Sequence, residues 1–443
     1  MKKGYTIAIS LALLAGAPLW ASGFGLFEQG TQGMGNAGAY VARAEDASAI
    51  FYNPAGLAQL SHTELSLSSR ATFVQSFYSN AGQTTWDTEK DQSIAPEFFV
   101  NFKWGRLAIG LGSALTYDYN SEWKDADFPS RYLSTGTEHS VREHMIALAY
   151  KLSDHFSIGA TYRLGQLDST YTRVLPRSLD ANDETLFYEA SEAFETDGDD
   201  GGFTLGFQYY QSRRLSFGFA YQSPITISAS GNRSYALLTR LNDQRAIDSF
   251  NTFRSAPIQT SFDLPERYQI GGSTRVTVRT RIEVDISLDD WSEVEQTIYQ
   301  DPATPSDTVV INRQWDDAYT FRLAGDFQQR KALLWRVGIA ATSASPVPDE
   351  TLESGFPDGE RFLYSFGLSY TLRRKYTLEA AWMFMQNRDR SVEDKELVFA
   401  SDSPTYYQSN GQDGVFETTR FLFNLGLKIR FGKSAGDNGS SNN

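Results

Sequence analysis

From about residue 64 the chain alternates apolar and polar positions with a period of two, the repeat of a strand with one buried face. Leu65, Leu67, Ala71 and Phe73 share one face, while Glu64, Ser66, Ser68 and Arg70 share the other. The pattern returns at Phe98/Val100/Phe102/Trp104, Phe156/Ile158/Ala160/Tyr162, Leu215/Phe217/Phe219/Tyr221 and Phe421/Phe423/Leu425/Leu427, and fourteen such segments can be counted. Met145–Leu152 and Tyr268–Val276 are the weakest of them. Six connections are short, near Gly105, Ser153–Asp154, Gln211–Arg213, Thr277–Arg279, Gln328–Lys331 and Leu372–Lys375. Seven are long, at about 78–95, 120–143, 166–201, 223–266, 290–317, 342–360 and 386–418. Short and long alternate strictly, as the thirteen links of a fourteen-stranded up-and-down barrel must. The expected fold is all-β: a 14-stranded antiparallel transmembrane β-barrel over residues 62–431. A soluble β-sandwich would also alternate, but would have little reason to sort its loops into two length classes.

Composition agrees with that reading. Aromatic residues make up 14% of the 443 positions, yet only 41% are hydrophobic, and mean hydropathy is −0.39. A bundle of membrane helices would need about 20 consecutive apolar residues per span. Net charge is −14, which argues against a nucleic-acid partner. There is no Cys, so disulfides, thiol catalysis and Cys-ligated zinc are excluded. The four His show no metal-ligand spacing, and no cofactor or metal is expected.

Residues 1–21 read as a secretory signal peptide: Lys2 and Lys3, an uncharged stretch, then a small Ala21 at the cleavage position. Residues 22–61 lack sustained alternation and contain seven glycines. They read as a compact plug, an N-terminal hatch in the lumen, because fourteen strands enclose more space than wall side chains fill. Residues 432–443 read as a disordered tail.

The run Gly33-Met34-Gly35, followed by Asp46-Ala47-Ser48-Ala49-Ile50-Phe51-Tyr52-Asn53-Pro54-Ala55-Gly56-Leu57, resembles the N-terminus of the FadL-type outer-membrane transporters. Further matches are Leu264-Pro265-Glu266, Trp315-Asp316-Asp317-Ala318-Tyr319 and Pro357-Asp358-Gly359-Glu360-Arg361, so the resemblance spans essentially the whole mature chain. It implies a monomeric, passive transporter in the outer membrane of a Gram-negative bacterium. Hydrophobic cargo is captured at external loops, bound in the lumen and released sideways into the membrane. Long-chain fatty acids lead as cargo, with neutral aromatic or alkane hydrocarbons as the alternative. The partners implied are such molecules, together with outer-membrane lipid and lipopolysaccharide.

Candidate residues follow from parity and from that resemblance. Arg173 has lumen parity on the strand from Phe156 and matches a basic residue of the family's high-affinity pocket. The family's second base, a lysine, aligns with Ile311. Arg313 could replace it, although alternation from Tyr319 and Phe321 puts Arg313 on the lipid face. By resemblance, Phe24 reaches the pocket from the extreme N-terminus, and Asn53, Pro54 and Ala55 form the hatch signature. In the loop Ser223–Glu266, Leu237, Leu238, Leu241, Phe250 and Phe253 suggest an outer apolar groove. Asp118, which shares parity with Gly110 and Gly112, stands where the family often has a glycine at a wall-opening kink. The stretch Asp180–Asp200 holds nine acids and no base, and reads as a solvated face or as a bridge to lipopolysaccharide through divalent ions. An enzyme is not expected: a second alternative, an outer-membrane lipase, would need a Ser–His dyad such as Ser140 and His144, without a nucleophile motif. An open porin conflicts with the glycine-rich plug.

Overall fold

The computed structural model describes residues 25–80, 84–179, 187–212, 214–238, 241, 243–342, 345–392 and 414–431. The proposed signal peptide, Phe24 and the tail after Phe431 lie outside them.

Fourteen antiparallel strands form one closed sheet. In chain order they are β1 (Thr63–Asn80), β2 (Asp91–Trp104), β3 (Leu107–Glu122), β4 (Gly136–Lys151), β5 (Phe156–Ser178) and β6 (Phe187–Tyr210). Next come β7 (Leu215–Gln222, continuing as Ile225–Leu237) and β8 (Ala256–Leu264, continuing as Glu266–Arg275), each interrupted at a proline. The last six are β9 (Thr280–Asp290), β10 (Ala318–Arg330), β11 (Leu333–Thr342), β12 (Arg361–Leu372), β13 (Tyr376–Asn387) and β14 (Gly414–Phe431). Closure is complete: β1 pairs with β14 from Thr63↔Phe431 to Asn80↔Gly414. Lipid offers no hydrogen bonds, so a spanning sheet must have no free edge. No described helix is long and apolar enough to cross a membrane.

The period of two sorts the side chains as the sequence predicts. Glu64, Ser66, Ser68 and Arg70 are buried inward on β1, as are Ser157, Thr161 and Arg163 on β5. Ile146, Leu148, Tyr162, Phe203, Phe207 and Phe217 are among the exposed apolar residues of the outer wall. A transmembrane strand needs about 9–11 residues, whereas β5 has 23 and β6 has 24. Much of the stretches expected as loops at 166–201 and 223–266 is therefore strand, paired from Gln166↔Asp199 to Ser178↔Phe187 and from Gly198↔Ala229 to Ala190↔Leu237. Within the acidic stretch, Tyr188–Asp200 belongs to β6 and 180–186 lies outside the described residues. Among the described residues no group of three or more His, Asp or Glu is arranged to hold a metal ion.

Residues 25–60 are almost wholly buried and bond to wall strands around the ring. The segment contains only short helices, α1 (Gly30–Gly35) and α2 (Ala49–Tyr52), and a 3-10 turn at Pro54–Gln59. Most of its backbone N–H groups thus lack regular partners, which burial would penalise. The wall's luminal carboxylates supply them. Asp285 accepts from the N–H of Tyr40 (2.7 Å) and Val41 (3.0 Å). Glu283 accepts from Ala42 (3.0 Å) and Arg43 (3.2 Å), Glu97 from Gly30 (2.9 Å) and Glu64 from Ala47 (3.1 Å). Side-chain charges add further ties: Lys428 donates to Asp46 at 2.7 Å, and Arg43 pairs with Glu283 and Asp326.

Asn53, Pro54 and Ala55 sit at the most crowded of these contacts. The Asn53 amide donates to Val41 O (2.9 Å) and Phe207 O (3.0 Å), and its oxygen accepts from Ala55 N–H (3.2 Å). The wall makes room with glycine. A Cβ on Gly206 would lie 2.2 Å from Asn53 Oδ1, and one on Gly159 would lie 2.5 Å from the Pro54 carbonyl carbon. Asn53→Ala removes three hydrogen bonds in a buried setting. It is expected to destabilise the folded protein by about 2–4 kcal/mol, read from urea unfolding in lipid vesicles. A shift below about 0.5 kcal/mol, the range of ordinary surface changes, would contradict the anchoring role.

Candidate functional site: an aromatic-lined lumen and a seam in the wall

Two arginines expected from the sequence, Arg173 and Arg313, lie within electrostatic reach of the same two rings, Tyr171 and Tyr299. Arg173 donates from Nε to Glu192 Oε2 at 2.6 Å, its cross-strand neighbour on β6. Arg233, on the second half of β7, donates to the other Glu192 oxygen at 2.6 Å and pairs with Asp307 at 2.8 Å. The guanidinium carbons of Arg173 and Arg233 lie 5.9 and 5.5 Å from the Phe194 ring centroid. Phe194 stacks on Tyr299 at 4.4 Å, and Tyr171, Ile258, Val309 and Ile311 complete an apolar patch. Arg173 is thus luminal, as parity predicts, and is paired with a wall carboxylate.

Arg313 is also inside, which corrects the parity argument. It precedes β10, after a small hairpin of Gln296–Gln300 and Thr308–Asn312. Gln314 has a left-handed φ of 47°, so strand alternation does not carry back from Tyr319. The buried Arg313 donates from Nε to Thr297 Oγ1 at 3.2 Å and pairs with Glu353. Its guanidinium carbon lies 4.8 Å from the Phe356 centroid. Tyr299 and Tyr171 feel the charges of both Arg313 and Arg173.

From Arg313 a line of aromatic rings descends to the wall. Phe356 meets Trp315 (5.6 Å), Trp315 meets Trp291 (5.3 Å), Trp291 meets Tyr117 (6.3 Å) and Tyr117 meets Phe27 (5.8 Å). Arg267 caps Phe27, its guanidinium carbon 3.6 Å from the centroid. Such edge-to-face contacts favour rings over other apolar groups, and the five rings form one buried apolar line.

Tyr117 belongs to β3, where the wall departs from regular pairing. β2 and β3 pair from Trp104↔Leu107 to Phe98↔Ser113 and no further. Above that point β2 remains paired to β1 and β3 to β4. Beyond the strand ends the two sides rejoin at the bridge Thr88↔Trp123, where Glu89 N–H donates to Glu122 O at 2.9 Å. Pro96, without an N–H, lies on this edge. Only side chains cross the seam: Ser93 Oγ donates to Asp118 at 2.9 Å, and Arg142 donates to Pro96 O at 3.1 Å. On the inner side, Leu115 O accepts from Gln29 (2.9 Å) and Arg70 (2.8 Å), and Thr116 O accepts from Leu26 N–H (2.8 Å). The N-terminal segment therefore supplies the donors that β2 withholds.

A bulge between Leu115 and Tyr117 accompanies the seam. It inserts one residue and reverses the parity above it. Tyr117 and Tyr119 are buried inward, whereas Asp118 turns to the outer face. The expectation that Asp118 shares the luminal side of Gly110 and Gly112 is corrected.

The outer-loop candidates separate into two groups. Phe250, at the end of α3 (Gln244–Phe250), and Phe253 touch each other at 6.0 Å. Phe250 meets Tyr188 at 6.3 Å and Phe253 stacks on Tyr235 at 4.8 Å. Leu237 and Leu238 are exposed at the tip of β7, and Leu241 is half-buried. Asp243 caps α3, and its hydrogen bond from the Arg245 side chain lowers its pKa. Ser140 and His144 are four residues apart on one extended strand, about 13 Å by strand rise, too far for a catalytic dyad.

With this architecture in place, comparison with known proteins gives a consistent class: outer-membrane β-barrel transport proteins. Residues 11–431 match the family described as outer membrane protein transport protein (OMPP1/FadL/TodX), and the chain belongs to that family. It is 22% identical to the long-chain fatty acid transport protein of Escherichia coli K12, over 93% of this chain and 96% of that protein. A Pseudomonas aeruginosa FadL homologue has the same fold, with a TM-score of 0.78 at 19% identity, covering 93% of this chain and all of that one. The toluene transporter TodX of P. putida gives a TM-score of 0.69 at 12% identity, covering 92% and 100%. The protein is accordingly an outer-membrane transport protein of that family.

Several site residues escaped the sequence reading. Glu192, Phe194, Arg233 and Tyr299 lie in stretches taken for loops. Alternation was available as a signal, since Tyr188, Ala190, Glu192 and Phe194 are all fully buried on one face of β6. Gln29→Ala removes one of the two donors at Leu115 O. Amide exchange at Leu26, followed by deuterium uptake, is expected to rise about tenfold, the effect of one hydrogen bond. Unchanged exchange there would mean that Gln29 does not hold the seam.

Proposed function

We propose that the protein carries long-chain fatty acids across the outer membrane passively. They pass from the outer loops, through the Arg173–Arg313 chamber, and out through the seam between β2 and β3. The observation that supports this most is the line of rings from Phe356 through Trp315 and Trp291 to Tyr117, which runs from Arg313 to where the wall ladder stops, with the Phe194–Tyr299 cluster beside Arg173. An acyl chain gains roughly 0.8 kcal/mol for each CH₂ kept from water, so a ring-lined path ending in lipid needs no energy source. Residues 25–60 serve as the hatch, blocking the direct path down the lumen and latching the seam through Leu26 and Gln29. Phe250, Phe253, Leu237 and Leu238 offer the first apolar contact outside.

A second cargo class has specific support. Arg173 and Arg313 each already face a carboxylate, Glu192 and Glu353, and Ile311 stands where fatty acid transporters carry a lysine. A neutral aromatic or alkane would use the same rings without competing for those arginines. Binding of oleate and of an alkane of equal length to wild type and Arg173→Ala separates the two readings. For fatty acid cargo, the variant is expected to lose oleate affinity by roughly 10- to 100-fold, the worth of one charge-assisted hydrogen bond, and to keep alkane affinity. Equal losses for both ligands would remove Arg173 from headgroup recognition.

A further inference from the structure

The short-turn rim, which faces the periplasm, carries an unbalanced charge that the transport path does not use. Arg330 and Lys331 join β10 to β11, and Arg373, Arg374 and Lys375 join β12 to β13. The two turns are neighbours, because Thr371 N–H donates to Ala332 O at 2.8 Å. All five bases are exposed, and among the described residues none forms an ion pair with a carboxylate. At the β4–β5 turn, Lys151 is matched by Asp154 at 3.1 Å, while Arg106, Arg214, Arg275 and Arg279 at other turns are exposed and, among the described residues, form no ion pair either. Five such bases on two adjacent turns nonetheless gather positive charge in a chain of net charge −14.

Two further observations fix what this arc suits. First, Lys375 Nζ lies 5.2 Å from the Tyr376 ring centroid and 5.9 Å from that of Phe431. Both rings are exposed on the outer wall, and aromatic residues there mark the level of the lipid headgroups. The cationic arc is therefore at the edge of the inner leaflet, on the lipid side. Second, Arg373 and Arg374 both have left-handed backbones, with φ of 48° and 58°, and Lys375 N–H closes the turn on Leu372 O at 3.1 Å. This is the φ signature of a type I′ turn, which favours Asn-Gly and burdens residues with a Cβ. Two arginines are kept where the backbone disfavours them.

We propose that this arc binds the phosphate headgroups of anionic phospholipids in the inner leaflet. Arg373, Arg374 and Lys375 form the centre, and Arg330 and Lys331 the flank. Arginine forks match phosphate oxygens, and the lysine adds a point charge over the aromatic girdle. The attraction weakens with salt.

Native mass spectrometry of the full chain in mixed micelles tests this with phosphatidylglycerol, with phosphatidylcholine of the same acyl chains, and with inorganic phosphate. Wild type is expected to retain phosphatidylglycerol over phosphatidylcholine, with inorganic phosphate unable to displace it at equal concentration. The double variant Arg373→Asn, Arg374→Gly gives the turn its favoured residues, so the barrel should fold at least as well by heat-dependent gel mobility. Its phosphatidylglycerol affinity is expected to fall about tenfold or more. Arg330→Gln with Lys331→Gln, which leaves the strained turn untouched, should lose affinity in the same direction. No lipid preference in wild type, as expected if the arc instead docks an acidic protein, would overturn the proposal. So would displacement by phosphate alone, or folded variants that keep the full preference.

Discussion

A membrane-spanning chain must satisfy every backbone N–H and C=O from within, because hydrocarbon supplies no partner. Most of the fourteen strand boundaries meet this demand with a continuing ladder, although those of β7 with β6 and with β8 are broken beside Pro224 and Pro265. Two parts of the molecule cannot. The segment 25–60 has little regular structure, and β2 separates from β3 above Phe98 and Ser113. Both are resolved by polar side chains pointing into the lumen. Asp285, Glu283, Glu97 and Glu64 take the segment's N–H groups. Gln29, Arg70 and the Leu26 N–H take the carbonyls freed at the seam. The lumen's polarity near the segment is a consequence of what it must hold.

The upper lumen follows a different rule. There the rings of Phe194, Tyr299, Phe356, Trp315, Trp291 and Tyr117 dominate, and the arginines beside them are neutralised by Glu192, Asp307 and Glu353. Gly25 bridges to Tyr117, so the buried N-terminal segment meets the wall where the line of rings ends.

Much of this was legible in the sequence, for reasons that also mark where legibility ended. The membrane band requires strict alternation, so the fourteen strands and the inward facing of Arg173 could be read directly. Beyond the membrane the outer face is no longer apolar, and Glu189, Ser191 and Glu195 made the upper half of β6 look like loop. Parity survives only while pairing is regular. One inserted residue at Leu115–Tyr117 turned Asp118 outward, and one left-handed residue, Gln314, freed Arg313 from the strand that follows. The partnership of Arg173 with Glu192 depends on register across a turn, which no single-strand pattern carries. The resemblance of residues 46–57 to the family signature singled out Asn53, Pro54 and Ala55, but not the wall glycines, Gly159 and Gly206, that make room for them.

The central claim is that cargo leaves through the seam rather than through the periplasmic mouth. Photo-crosslinking with an alkyl probe bearing a terminal diazirine, followed by mass-spectrometric mapping, tests it most directly. Adducts are expected on the rings between Phe194 and Tyr117 and on the seam margins around Pro96 and Leu115. Adducts reaching Ser216 and Ser273 at the lower end of the lumen, with none on the margins of β2 and β3, would contradict the account.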